Sequence, residues 1–193
     1  MQQLCICLFP DALRNGGIGR VNLNLAEGFL QHGIAVDFFL NYSDERVAQI
    51  PKEARVFFGK GSTKASLGTL ITYLRRERPD ILITSHTYTT IASLIAKTVA
   101  GVPTRIVVTM HTTFSQDDLS GKSKSLYVRL STLLCRWFYP RANQIIAVSK
   151  AVADDTANFL NLNPQRVHVI FNPVVTPSLY DKSTAKLEHP FFQ

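Results

Sequence analysis

Cysteine, long apolar runs and, over one long stretch, acidic side chains are what this 193-residue sequence has least of. No apolar segment approaches the roughly 20 residues that a membrane-spanning helix needs. The opening Met1-Gln2-Gln3 lacks the basic start and small-residue cleavage site of a signal peptide. Three cysteines, with Cys5 and Cys7 inside one apolar run, make neither a disulfide framework nor a zinc spacing. These absences predict a reduced, cytoplasmic protein with no metal site. The sequence also holds no internal repeat, no low-complexity tract and no G-x-S-x-G elbow, so a hydrolase triad is not supported.

What is present is an ordinary globular balance, 46% hydrophobic and 18% charged, enough to bury a sizeable core. Short β-branched runs alternate with segments of helical period. Strands are predicted at Leu4–Phe9, Ile34–Leu40, Arg55–Phe58, Ile81–Thr84, Arg105–Met110, Gln144–Val148 and Val167–Phe171. Between them fall helical patterns, among them Ile18, Val21, Leu25 and Phe29, and a segment from about Ser123 to Phe138. Seven such runs separated by helices predict an α/β fold, a Rossmann-like doubly wound, mostly parallel seven-stranded sheet. Fold habit, rather than the pattern, gives the order 3-2-1-4-5-6-7. Residues 1–173 read as that domain. After Asn172-Pro173 the period is lost, and 174–193 read as a linker punctuated by Pro177 and Pro190.

In an open parallel sheet, ligands bind beyond the C-terminal strand ends where the strand order reverses. Three polar features are predicted there: the turn Asn15-Gly16-Gly17-Ile18-Gly19-Arg20, the strand end Ser85-His86, and the strand end His111-Thr112-Thr113. Strands lie about 4.8 Å apart, so these ends fall within roughly 10 Å of one another. Gly16, Gly17 and Gly19 let a ligand approach the backbone, and the N–H groups of a helix start favour an anion. Arg20 in the first helical turn opposes the helix dipole, a cost of about 0.3–1 kcal/mol that an anionic ligand offsets. A tight strand–helix turn with a solvated arginine accounts for the same residues. Two other phosphate signatures fail: the third glycine of G-x-G-x-x-G is Asn22, and Gly121-Lys122-Ser123 follows Gln116 where a P-loop needs glycine.

His86 and His111 each follow a strand, with no ligand-spaced partner for a metal. The positive charge, +7 in net, is local. From Leu119 to Ala153 there is no acid, whereas Lys122, Lys124, Arg129, Arg136, Arg141 and Lys150 are all present. On a helix, Leu126, Leu130, Leu133, Leu134 and Trp137 share one face. That face reads either as packed on the core or as a surface over 122–139 that meets anionic lipid. No nucleic-acid module or aromatic platform accompanies the charge, so nucleic acid is not expected as a partner.

Together, Gly16-Gly17-Ile18-Gly19-Arg20-Val21 with Asn24-Leu25-Ala26, Arg78-Pro79-Asp80-Ile81-Leu82, Arg141-Ala142-Asn143 before Ala147-Val148-Ser149, and Val169-Ile170-Phe171-Asn172-Pro173 resemble the N-terminal half of family 4 (group 1) glycosyltransferases. The resemblance implies half of a two-domain GT-B fold, the acceptor-side domain, whose partner is an absent C-terminal domain. It implies Gly16 and Gly17 (with Gly19 and Arg20 beside them) at the donor phosphates, and His111 at the donor sugar as the catalytic candidate. Acceptor contacts then fall on Ser85, His86, Thr112 and Thr113 and on the loop to Gly121, and Ser149 and Lys150 lie near the cleft. No cofactor or metal is implied. The resemblance also implies a nucleotide-sugar substrate, retained anomeric configuration, and an acceptor that is lipid-linked or a saccharide of the cell envelope. The family's basic pyrophosphate pair and E-x7-E segment have no match here, so the chain is expected to be inactive alone and cytoplasmic, peripheral at most to the inner membrane face. Half of a nucleotide-sugar epimerase, and a non-catalytic sugar- or lipid-binding module, are the alternatives.

Overall fold

The computed structural model describes residues 3–14, 16–114 and 126–175, with the backbone alone over 126–131. The strands are β1 (Cys5–Asp11), β2 (Ala35–Leu40), β3 (Arg55–Phe58), β4 (Ile81–Thr84), β5 (Arg105–Met110), β6 (Gln144–Ala147) and β7 (Val167–Val169). The helices are α1 (Gly17–Gln31), α2 (Thr63–Glu77), α3 (Thr87–Ala100), α4 (Leu126–Phe138) and α5 (Lys150–Leu160). All neighbouring strands are parallel, in the expected order β3-β2-β1-β4-β5-β6-β7.

Strand alternation divides the core in two. Cys7, Phe9, Leu82, Ile106 and Val108 face Leu70 and Leu74 of α2, Leu94 of α3, Tyr139, and Val152 and Leu160 of α5. Ile6, Leu8, Phe38, Leu40 and Ile83 face Leu13 and, on α1, Leu23 and Ala26. Toward the strand N-termini, buried Asp37 accepts from Arg55 Nε and Nη2, each at 2.8 Å, and from the Tyr73 hydroxyl at 2.7 Å. That network ties β2, β3 and α2 together at the edge away from the predicted site.

Several boundaries differ from the sequence pattern. β1 runs past Phe9 through a bulge to Asp11, which pairs with Leu40. β7 stops at Val169 rather than Phe171, because its partner strand ends at Ala147 and offers no further rung. The helix expected from Ser123 begins at Leu126 within the described residues. On α1 the buried set is Gly19, Val21, Asn22, Leu23, Asn24 and Ala26, and Leu25 and Phe29 are only half-buried. Both buried amide nitrogens have partners: Asn22 Nδ2 donates to the Ile18 carbonyl at 2.8 Å, and Asn24 Nδ2 to the Pro173 carbonyl at 2.6 Å. The second bond joins α1 to the chain leaving β7.

Candidate functional site

Parallel strands place every C-terminal end on one edge, and the order reverses between β1 and β4. Phe9 pairs with Thr84, and Thr84 with Val108. The β1–α1 turn, Ser85-His86 and His111 therefore leave the sheet along the same edge.

The turn starts α1 at Gly17 with Gly16 as N-cap, and no side chain caps that terminus. The three glycines are not equivalent. A Cβ at Gly19 would lie 2.7 Å from the Leu13 carbonyl oxygen and 2.9 Å from that of Arg14, so Gly19 permits α1 to pack on its own entry loop. A Cβ at Gly17 would meet nothing within 4 Å, and one at Gly16 only the Arg14 carbonyl oxygen at 3.9 Å. Packing thus explains Gly19 and leaves Gly16 and Gly17 facing open space. Arg20 is exposed in the first turn of α1. Asn15 lies outside the described residues.

His86 is the N-cap residue of α3, half-buried, and stacks on Tyr88 with ring centroids 5.3 Å apart. Burial lowers its pKa below the ordinary 6.5, opposed by the charge of Asp11 and a hydrogen bond to the Pro10 carbonyl. His111 is also half-buried. Burial first, then the nearby His86, push its pKa down to about 4. At neutral pH the His111 ring is uncharged, and burial disfavours a charge on His86 as well. Ser85 is buried, its Oγ 3.0 Å from Thr109 Oγ1, and His111 Nε2 lies 3.2 Å from the same oxygen.

The remaining expected residues are less closely gathered. Thr112 is exposed, and Thr113 is half-buried with a hydroxyl that has no partner among the described residues. Residues 115–125, which include Asp117, Asp118, Lys122 and Lys124, lie outside the description. Val148 N–H donates to the Met110 carbonyl at 3.1 Å, which puts Ser149 one strand over from His111. The Ser149 hydroxyl accepts from Val152 N–H at 3.2 Å and caps α5, while Lys150 pairs with Asp154 at 3.5 Å. In this structure both have local structural partners.

Three residues at the edge escaped the sequence reading: Asp11, Tyr88 and Thr109. Asp11 has φ +77°, a left-handed conformation that aspartate tolerates better than most residues. Its carboxylate accepts from the Asn41 amide, from the Thr63 hydroxyl at 3.3 Å and from the Tyr88 hydroxyl at 3.2 Å. Among the described residues no cation pairs with it. Its signal was positional: Asp11 stands two residues past Phe9, as His86 stands two past Thr84, the partner of Phe9.

On the outer surface, Leu133, Leu134 and Trp137 of α4 are 65%, 38% and 56% exposed. Cys135 and Tyr139 take the buried positions, so these three do not form the core-facing stripe that the helical spacing allowed. Beside them a groove of about 350 Å³ runs between α3 and α4, lined by Leu94, Val99, Trp137 and Phe138 with Lys97 and Arg141. The Arg141 guanidinium lies 3.7 Å over the Trp137 ring. Among the described residues no helix is long and apolar enough to cross a membrane, and no three His, Cys, Asp or Glu side chains are grouped to hold a metal.

The model of Glycosyltransferase Family 4 matches residues 15–176. No curated protein matches. Among solved structures, Anabaena HepE in complex with UDP-glucose superposes with a TM-score of 0.64 at 17% identity, covering 94% of this chain and 49% of that one. The apo lipopolysaccharide outer core galactosyltransferase WaaB gives 0.66 at 16% identity over 89% and 46%. A glycosyltransferase from Rickettsia africae gives 0.66 at 14% over 95% and 49%. At these identities the likeness is one of fold, and the chain spans about half the length of each.

Proposed function

Because the chain belongs to glycosyltransferase family 4, we propose that it is the acceptor-side half of a retaining glycosyltransferase, moving a hexose or N-acetylhexosamine from a nucleotide sugar to a lipid-linked or saccharide acceptor of the cell envelope. The observation that carries this reading is the placement of an uncapped helix start at Gly16-Gly17 and of the His86 and His111 imidazoles on one sheet edge. The α1 terminus supplies N–H groups and a positive dipole end, matched to charge that grows on a leaving phosphate. His111, held neutral, offers hydrogen bonding to sugar hydroxyls without adding charge. Ser85, His86, Thr112 and Thr113 border the space for an acceptor. The groups that grip the nucleotide belong to a second domain, so this chain alone turns over no donor.

The test is an assay of sugar transfer by the chain alone and by the chain joined to a family 4 donor-binding domain, with product analysis. Transfer only by the joined protein, with retained configuration, is expected. Robust transfer by the chain alone, or sugar epimerisation without acceptor, contradicts the reading.

The exposed Leu133, Leu134 and Trp137, beside Lys97 and Arg141, favour a second role for the α3–α4 face: contact with an anionic membrane surface, which would bring a lipid-linked acceptor within reach.

A further inference from the structure

We propose that Thr109 is a positioning residue that holds His111 in the tautomer protonated at Nε2, leaving Nδ1 to accept a hydrogen bond from a hydroxyl of the sugar substrate. The nature of that hydroxyl rests on the function proposed above; the tautomer itself does not.

The argument is an accounting of protons. A threonine hydroxyl has one proton to give and two lone pairs to receive with. Three groups surround Thr109 Oγ1: the Thr84 carbonyl at 3.0 Å, Ser85 Oγ at 3.0 Å and His111 Nε2 at 3.2 Å. A carbonyl carries no proton, so the contact with Thr84 is made only if Thr109 donates. Its single proton is thereby committed, and its two lone pairs are left for Ser85 and His111. The arrangement is satisfied when Ser85 Oγ–H and His111 Nε2–H both donate to Thr109. A neutral imidazole bears one N–H, so Nδ1 then holds a lone pair. Nδ1 has no hydrogen-bond partner among the described residues.

Local geometry makes the assignment durable. Thr109 and His111 are two apart at the end of β5, on one face by the strand period, and Thr109 is fixed by the β4 carbonyl beside it. The ring is neutral at the pH of interest. The groups whose charges bear on it are His86 directly, and through His86 the carboxylate of Asp11.

The tautomer selects the ligand chemistry. A ring with a lone pair at Nδ1 accepts from hydroxyl or amide N–H and gives nothing to a phosphate oxygen. The other tautomer would reverse that choice. His111 is accordingly assigned to a sugar hydroxyl, and phosphate recognition is left to the helix start at Gly16-Gly17.

The test is nitrogen-15 NMR of the histidine rings in the full chain at neutral pH without substrate, with His111→Gln to assign the signals. The expected wild-type spectrum shows His111 protonated at Nε2 and bare at Nδ1. Thr109→Ser keeps that pattern, and Thr109→Val relaxes it to the tautomer mixture of an unheld imidazole, with a measurable share protonated at Nδ1. A wild-type ring protonated at Nδ1 overturns the proposal with no variant needed, as does a folded Thr109→Val chain with the wild-type ring pattern. Since no substrate is present, failure of the transferase reading leaves this result untouched.

Discussion

Gly19 and Leu13 stand so close that a methyl group on the glycine would come within 2.7 Å of the leucine carbonyl oxygen. Backbone, not a flexible side chain, is what it would strike, so α1 must move or the loop must. Gly19→Ala is therefore expected to cost about 1–3 kcal/mol. Gly17→Ala, two residues earlier, adds its methyl to open space and is expected to be neutral or to stabilise by up to about 1 kcal/mol. Urea unfolding of the two variants checks this split; equal losses contradict it. If the phosphates lie on this turn, Gly17→Ala also weakens nucleotide-sugar binding in a chain that folds normally.

The architecture was open to sequence reasoning because β-branched runs and helical spacing report burial directly. Strand order came from the habit of doubly wound folds rather than from the pattern itself, and the edge that gathers the glycine turn and both imidazoles followed from the order. What the sequence hid was anything set by a neighbour distant along the chain. Asn24 reads as an ordinary polar helix residue until it meets Pro173, and Thr109 as an ordinary strand residue until Thr84, Ser85 and His111 surround it. The spacing of Leu133, Leu134 and Trp137 gives an apolar face but not its direction, since Cys135 and Tyr139 compete for the same core.

The depressed pKa of His111 has a consequence for stability. A histidine held near 4 when folded and near 6.5 when unfolded binds its proton more readily in the unfolded chain. Its neutral form contributes nothing pH-dependent above about 6.5, and folding stability falls as pH drops from there toward 4. His86, shifted in the same direction, acts in the same sense. Denaturant unfolding at pH 7, 5.5 and 4.5 is expected to show wild type losing more stability on acidification than His111→Gln. Parallel losses contradict this account of the ring's environment.

Trp137 is the sole tryptophan of the chain, and it is exposed on α4 beside the apolar groove. Its fluorescence therefore reports that face alone. Vesicles containing anionic phospholipid are expected to shift the emission to the blue, and added salt to reverse the shift as charge attraction is screened. Neutral phosphatidylcholine vesicles are expected to leave it unchanged. Lys97→Glu with Arg141→Glu, the two cations that line the groove, is expected to abolish the response. Equal responses to both vesicle types contradict the charged-surface reading.

The decisive question is whether sugar nucleotide meets the molecule where the strand order turns back on itself. Backbone amide NMR of the labelled chain joined to a family 4 donor-binding domain, titrated with UDP-glucose as a probe, answers it. The account predicts shifts concentrated at Gly16–Gly19, His86 and His111, with Gly33 and Gly101 at the opposite edge unmoved. Shifts centred on that opposite edge or on the α3–α4 groove, with the glycine turn and both histidines silent, would contradict it.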